Sequence, residues 1–320
     1  MLNLNAETQR IAIRSESVGR GTTESAIHAG YGVDRNFLMP AGVSMVSLLE
    51  SNPGQAFVFH VMIPSMDEIR ECDMEKFREL VQSYKNADVV IHVIDTSVLT
   101  GAPTSRNYST AVYYRFFFPF LVPEQPQLLY LDADIVCLGD LHELCSLAMG
   151  TSVVAACYDK SSRTEDPMFN SGFLWMQADV WREQQISEQC IEYVQHNAQR
   201  VFYDQEALNQ ILKGRVQFLP DRYNFQMRKQ EYEMIPEDVV FLHFSEEKPW
   251  RAWYDRQDQS YFLRYKNKSP WRDVEPELPK NYQQMKFMAE YCLCHQQWLE
   301  AGHFFLRYGT MKARKILSGK

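Results

Sequence analysis

The stretch Leu128-Leu129-Tyr130-Leu131-Asp132-Ala133-Asp134-Ile135-Val136 constrains this 320-residue chain more than any other. It begins as an apolar run of strand length and then breaks into two carboxylates one residue apart. A strand covered on both faces reads as a continuous apolar run, and in open α/β sheets ligands sit just outside the carboxyl ends of such strands. In an extended chain Asp132 and Asp134 project to the same side. Two carboxylates held close favour a cation between them. A hard divalent ion, Mg2+ or Mn2+, completed by the phosphate oxygens of a substrate, suits that pair. The alternative on these residues alone is a turn cap, with Gly139-Asp140 supplying the bend.

The length allows one large domain and a smaller appendage. A net charge of -8 argues against general nucleic-acid binding. No apolar run reaches the ~18 residues of a membrane span; the nearest, Val112 to Val122, is short and contains Arg115 and Pro119. The start of the chain, polar through Gly21, lacks the pattern of a signal peptide. Seven scattered cysteines fit buried thiols in a reducing compartment better than a disulfide framework. The expected location is the cytoplasm.

Residues 1–24 have no clear period and read as a loosely ordered lead-in. Gly19-Arg20-Gly21-Thr22 precedes the first expected strand instead of following it, so it lacks the context of a phosphate loop. That strand, Ser25 to Asp34, ends in Gly30-Tyr31-Gly32-Val33-Asp34 before Asn36-Phe37. Its glycines would let a ligand approach the backbone, or the segment is a turn with a capped helix, Ala41 to Ser51, behind it. Strands at 57–63 and 88–94 alternate with a helix over 67–84, which predicts a mostly parallel, doubly wound sheet. Arg115 lies in an expected aromatic helix, where a buried guanidinium needs an anion: an ion-pair partner or a ligand's carboxylate or phosphate. Further on, a strand over 153–158 ends at Asp159, and Phe169-Asn170-Ser171-Gly172 heads another. Helices are expected over 179–195 and from Asp204, which in that reading serves as N-cap. His243 stands near the end of a strand over 239–244, a position open to a third ligand beside the two carboxylates. A compositional shift and the Pro276/Pro279 pair mark a boundary, giving a main domain over 25–275 and a helical, basic and aromatic extension over 276–320. Basic and apolar residues together in that tail suggest docking on an anionic membrane face, or a solvated helix packed on the main domain.

Five blocks in order, Tyr31-Gly32-Val33-Asp34-Arg35-Asn36-Phe37, Tyr130-Leu131-Asp132-Ala133-Asp134, Phe169-Asn170-Ser171-Gly172, Asp204-Gln205 and Lys248-Pro249-Trp250, resemble glycosyltransferase family 8. The likeness is to the bacterial enzymes that add α-linked glucose or galactose to the lipopolysaccharide core. It runs from about Ala26 to Trp271, with a weaker likeness in the extension. The resemblance implies a single Rossmann-like nucleotide-sugar domain of GT-A type, a mostly parallel mixed sheet flanked by helices, with a helical C-terminal extension. It implies a retaining, metal-dependent transfer of glucose or galactose from UDP-glucose or UDP-galactose to a hydroxyl of the outer core, in α-1,3 or α-1,2 linkage, at the inner face of the cytoplasmic membrane. Asp132, Asp134 and His243 would bind Mn2+ or Mg2+. Asp34, Asn36 and Phe37 would hold the uridine and ribose, Gly32, Val33 and Ala133 would also contact the donor, Lys248 would reach the diphosphate, and Arg115, Asp159, Asn170 and Ser171 would surround the donor sugar. Asp204 and Gln205 would flank the anomeric carbon.

A carboxylate nucleophile at the anomeric carbon is what double displacement requires. The matching position is Gln205, so front-face attack by the acceptor is expected, with the leaving phosphate taking its proton. The chain departs from the family's His-x-x-Gly-x-x-Lys-Pro-Trp by reading His243-Phe244-Ser245-Glu246-Glu247-Lys248, one residue shorter and without the glycine. It also reads Asp204-Gln205-Glu206 for Asp-Gln-Asp. The competing readings are a sugar-phosphate nucleotidyltransferase, which would want a basic glycine-rich loop after the first strand, and a non-catalytic UDP-sugar or glycan-binding module.

Overall fold

A computed structural model describes Leu4 and residues 11–19, 25–105, 109–162, 168–198, 203–227 and 234–317. Most of Gly19-Arg20-Gly21-Thr22 lies outside them. Eleven strands run in chain order as β1 Ala12–Val18, β2 Ile27–Gly32, β3 Phe57–Ile63, β4 Ala87–Ile94, β5 Gln127–Leu131, β6 Ile135–Cys137, β7 Val154–Cys157, β8 Phe173–Gln177, β9 Val216–Leu219, β10 Phe225–Gln226 and β11 Phe241–His243. Eight form one sheet in the order β1-β4-β3-β2-β5-β8-β7-β9, and a second sheet runs β10-β11-β6. β4, β3, β2 and β5 are mutually parallel, as are β7 and β9, while β1 and β8 run against their neighbours. The strand–helix alternation from β2 to β4 produces this parallel block, because a crossover helix must return the chain to the same sheet end.

Alternate side chains of the central strands feed two cores. Tyr31, Phe59 and Leu129 pack under the helices Leu38–Ser51 and Glu71–Ser83. Leu128, Leu174 and Ala156 pack under residues 111–118 and the helices Ile186–His196 and Asp204–Ile211. Burial on both faces explains why these strands read as unbroken apolar runs.

Some expectations change and others hold. The polar lead-in contains β1, an edge strand paired antiparallel with β4. Its residues Ile13, Arg14 and Ser15 are exposed, so no alternating burial marked it. The segment around Arg115 is a 3-10 helix, Thr110–Phe116. The helix expected over 179–195 divides into Ala178–Glu183 and Ile186–His196 at Gln185, whose φ of 54° is left-handed. Gly30 and Gly32 are closely approached from within the protein: a Cβ at Gly30 would lie 2.6 Å from the Phe118 ring, and one at Gly32 would lie 2.6 Å from the Ala111 carbonyl oxygen. All seven cysteines are free thiols. The extension forms two helices, Tyr282–Cys294 and Trp298–Leu317, packed against each other. Among the described residues no helix is long and apolar enough to cross a membrane.

Candidate active site

The two aspartates occupy the junction between the sheets. Leu131 ends β5 in register with Phe173 of β8, and the Asp132 N–H donates to the Gly172 carbonyl at 2.7 Å. The chain then turns, Ile135 N–H donating to the Asp132 carbonyl at 3.2 Å, and enters β6 in the second sheet. Their convergence thus comes from a turn instead of an extended segment. Antiparallel pairing of β6 with β11 sets His243 opposite Ile135, and Phe244 N–H donates to the Asp134 carbonyl at 3.0 Å. One ligand atom each from Asp132, Asp134 and His243 lies within 4.8 Å of the others.

This donor set fits a divalent ion. Two carboxylates and an imidazole match Mn2+ or Mg2+ chemistry, and the cradle is kept open by a glycine. A Cβ at Gly172 would stand 2.6 Å from His243 Cε1 and 2.8 Å from Asp132 Oδ2. The Lys248 ammonium lies 2.5 Å from Asp134 Oδ2, and His243 Nε2 lies 3.3 Å from Asp134 Oδ1. Burial alone would raise the Asp134 carboxyl, but Lys248 and His243 outweigh it and hold the group well below the usual carboxylate range. Lys248 also donates to the carbonyls of Phe244 and Ser245 at 2.8 and 3.3 Å, so the shortened loop folds back on its own lysine. Of the two loop glutamates, Glu246 is exposed and Glu247 pairs with Arg251 at 3.3 Å.

Arg115 is 3% exposed and bridges two carboxylates: Nη2 to Asp132 Oδ1 at 2.8 Å and Nε to Asp204 Oδ2 at 3.1 Å. It lies over the Tyr130 ring, 4.5 Å from its centre, and donates to the Ser171 carbonyl. The guanidinium therefore serves the ion-pair alternative. Asp204 does not act as N-cap, since it is the first residue of its helix and no side chain caps that terminus. Its carboxylate is buried, accepts from Ser171 Oγ at 2.9 Å, and is shifted upward by burial against the pull of Arg115. Gln205, one residue on, accepts at Oε1 from Ser171 N–H at 3.1 Å and from Asn170 Nδ2 at 3.3 Å. Its Nε2 donates to Asp159 Oδ2 at 2.6 Å, and Asp159 Oδ1 accepts from Ser161.

At the end of β2, Asp34 caps a 3-10 turn, accepting from Asn36 N–H at 2.9 Å and from Ser109 Oγ at 3.1 Å. Phe37 is half-buried and meets Trp250 edge-on at 5.7 Å, which joins this end to the Lys248 loop. Val33 and Ala133 are buried. Tyr130 OH donates to Asp132 Oδ1 at 3.3 Å and contacts the Gly32 backbone, tying β2 to the aspartate turn.

Three residues at the centre were not among the expected site residues. Gly172 was visible only as the last member of the Phe169 block. Tyr130 read as a strand residue. Asn224 sat in a segment expected to be loop; it is fully buried, and its Oδ1 lies 2.9 Å from His243 Nδ1. An amide in an irregular segment carries no periodic signal.

The family model described as Glycosyl transferase family 8 matches residues 28–254, and the model of the family's C-terminal region matches 259–312. The lipopolysaccharide 1,3-galactosyltransferase of Salmonella typhimurium is 28% identical over 307 residues, covering 88% of this chain and 90% of that protein. The lipopolysaccharide glucosyltransferase WaaO of Escherichia coli is 28% identical over 319 residues, covering 92% and 93%. Among solved structures, the galactosyltransferase LgtC with donor and acceptor sugar analogues superposes with a TM-score of 0.65 at 20% identity, covering 76% of this chain and 96% of LgtC. At that identity the likeness concerns the fold, which is GT-A. The family match spans most of the chain and includes every residue of the Asp132/Asp134/His243 cluster, so the chain belongs to glycosyl transferase family 8.

Proposed function

We propose that the protein transfers glucose or galactose from a UDP-sugar, with retention of configuration, to a hydroxyl of a lipopolysaccharide core oligosaccharide. The observation that carries this is the Asp132/Asp134/His243 cluster beside Lys248, at the strand ends where the α/β sheet opens. Full-length similarity to lipopolysaccharide glucosyl- and galactosyltransferases supports the acceptor class.

In this reading Asp132, Asp134 and His243 hold Mn2+ or Mg2+, which when bound supplies Lewis-acid stabilisation to the leaving diphosphate. Lys248 adds a positive charge on the same side, where negative charge develops. Asp34, Asn36 and Phe37 hold the ribose and base, with Phe37 braced by Trp250. Arg115 holds the carboxylates of Asp132 and Asp204 in place. Gln205 faces the donor sugar; the adjacent carboxylate of Asp204 is tied into the Arg115 pair, and that of Asp159 accepts from Gln205 and Ser161, so both carboxylates beside Gln205 among the described residues are engaged and neither is offered as a nucleophile. Front-face attack follows: the acceptor oxygen bonds to the anomeric carbon as the sugar–phosphate bond breaks, and the departing phosphate oxygen takes the acceptor's proton. The C-terminal helix, with Arg307, Lys312, Arg314 and Lys315 beside exposed Leu306 and Ile316, docks on the anionic inner face of the membrane.

The test is transfer of radiolabelled hexose from UDP-glucose and UDP-galactose to lipopolysaccharide truncated within its core. Labelling from one donor, with the α-anomer in the product, is the expected result. An inverted product, or a glycosyl-enzyme trapped on Asp204 or Gln205, would overturn the mechanism.

A further inference from the structure

We propose that Asn224 and Asn170 form a directional amide relay that sets the metal-facing tautomer of His243 and the orientation of Gln205 together. The proposal rests on the metal-site reading above. Its members are connected end to end. His243 Nδ1 lies 2.9 Å from Asn224 Oδ1, and Asn224 Nδ2 lies 2.9 Å from Asn170 Oδ1. Asn170 Nδ2 lies 3.3 Å from Gln205 Oε1, and Gln205 Nε2 lies 2.6 Å from Asp159 Oδ2.

Two backbone donors fix the direction of this chain. Gly172 N–H donates to the Asn170 side chain at 3.0 Å, and Ser171 N–H donates to the Gln205 side chain at 3.1 Å, so both contacted atoms must be oxygens. With its oxygen so placed, Asn170 turns Nδ2 toward Gln205 and accepts from the Nδ2 of Asn224. Asn224 then has only its oxygen left for His243. An oxygen there requires a proton on Nδ1, which in the neutral imidazole leaves the Nε2 lone pair directed toward the two aspartates. Flipping Asn224 would set its NH2 against the His243 N–H and its oxygen against that of Asn170. The same logic at the other end turns the Gln205 carbonyl toward Ser171 and its NH2 toward Asp159. Asn224 is fully buried and takes no part in the ligand cluster, so it is a positioning residue.

The relay is testable on the full-length protein. Nitrogen-15 NMR of histidine-labelled enzyme should show the His243 Nδ1 protonated and hydrogen-bonded, whichever state Nε2 is in. Mn2+ titrations followed by electron paramagnetic resonance, without donor, should give an Asn224→Ala affinity weakened roughly 10–100-fold, the usual cost of losing an outer hydrogen-bond partner. Asn224→Asp keeps an acceptor for His243 but cannot donate to Asn170. It should hold Mn2+ at least within about threefold of wild type, while kcat at saturating Mn2+ and donor falls about tenfold or more. A His243 Nδ1 without a proton in the wild type, wild-type Mn2+ affinity in Asn224→Ala, or wild-type kcat in Asn224→Asp would each overturn the relay. The NMR result decides even if the alanine variant does not fold. Failure of the wild type to bind Mn2+ would overturn the metal reading itself, and is read before any variant is made.

Discussion

Gly172 shows how little room a single position leaves. A methyl group there would press on both His243 and Asp132, at 2.6 and 2.8 Å, from the strand side. Gly172→Ala is therefore expected to weaken Mn2+ binding by roughly two orders of magnitude, because a ligand displaced by even a fraction of an ångström loses its place. A Mn2+ titration alongside a thermal melt checks this, and unchanged affinity would contradict it. The residues that announced themselves in the sequence did so by breaking a local rule. Asp132 and Asp134 interrupt an apolar strand, and His243 and Lys248 bracket the end of another. Arg115 was legible as a buried cation but not as a bridge, because its partner Asp204 is 89 positions away and meets it only in the folded chain. Asn224 gave no signal at all, since its value lies in two tertiary contacts.

Elements owe their placement to glycines and to one unusual polar row. In the helix Leu38–Ser51, a Cβ on Gly42 would lie 2.2 Å from the Trp271 ring, which packs edge-on against Phe77 at 5.3 Å. Gly42→Ala gains about 1 kcal/mol of helix propensity, but the overpacking costs about 1–3 kcal/mol. A net loss is expected in urea denaturation, and a stabilised variant would contradict the packing. Across β2, β3 and β4, His28, His60 and His92 form a head-to-tail row, with ring nitrogens 2.9 Å apart at each step, ending on Ser15 of β1 at 2.8 Å. Phe118 covers His60 at 5.4 Å, and Glu124 is the one charge acting on His28 among the described residues. Burial pushes His60 well below 6.5 and His92 down to about 4. The unfolded chain binds protons near 6.5 that these folded residues refuse, so their contribution to stability is complete above that pH and declines as pH falls toward about 4. Histidine NMR at about pH 5.5 should find both rings neutral; imidazolium signals from either would contradict this. The same row explains why β1 escaped notice, because a polar edge strand that meets the row through Ser15, itself exposed, has no apolar alternation to read.

The molecule as a whole is electrostatically divided. Its net charge is -8, yet the helix Trp298–Leu317 carries four Lys and Arg side chains against Glu300 as its one carboxylate. An acidic body with a basic, apolar-edged appendage would meet an anionic membrane in one orientation. Replacing Lys312, Arg314 and Lys315 with Gln should lower binding to anionic vesicles by about two orders of magnitude, at about 1 kcal/mol per charge. Co-sedimentation equal to wild type would contradict the docking proposal. The central claim is that the Asp132/Asp134/His243 cluster serves metal-assisted cleavage of a UDP-sugar. Its most direct measurement is UDP release from UDP-glucose and UDP-galactose, in Mn2+ and in EDTA, by the wild type and by Asp134→Ala. The account predicts turnover of one donor that EDTA abolishes and that Asp134→Ala lowers about a thousandfold or more. Undiminished turnover in EDTA, or a fully active Asp134→Ala protein, would contradict it.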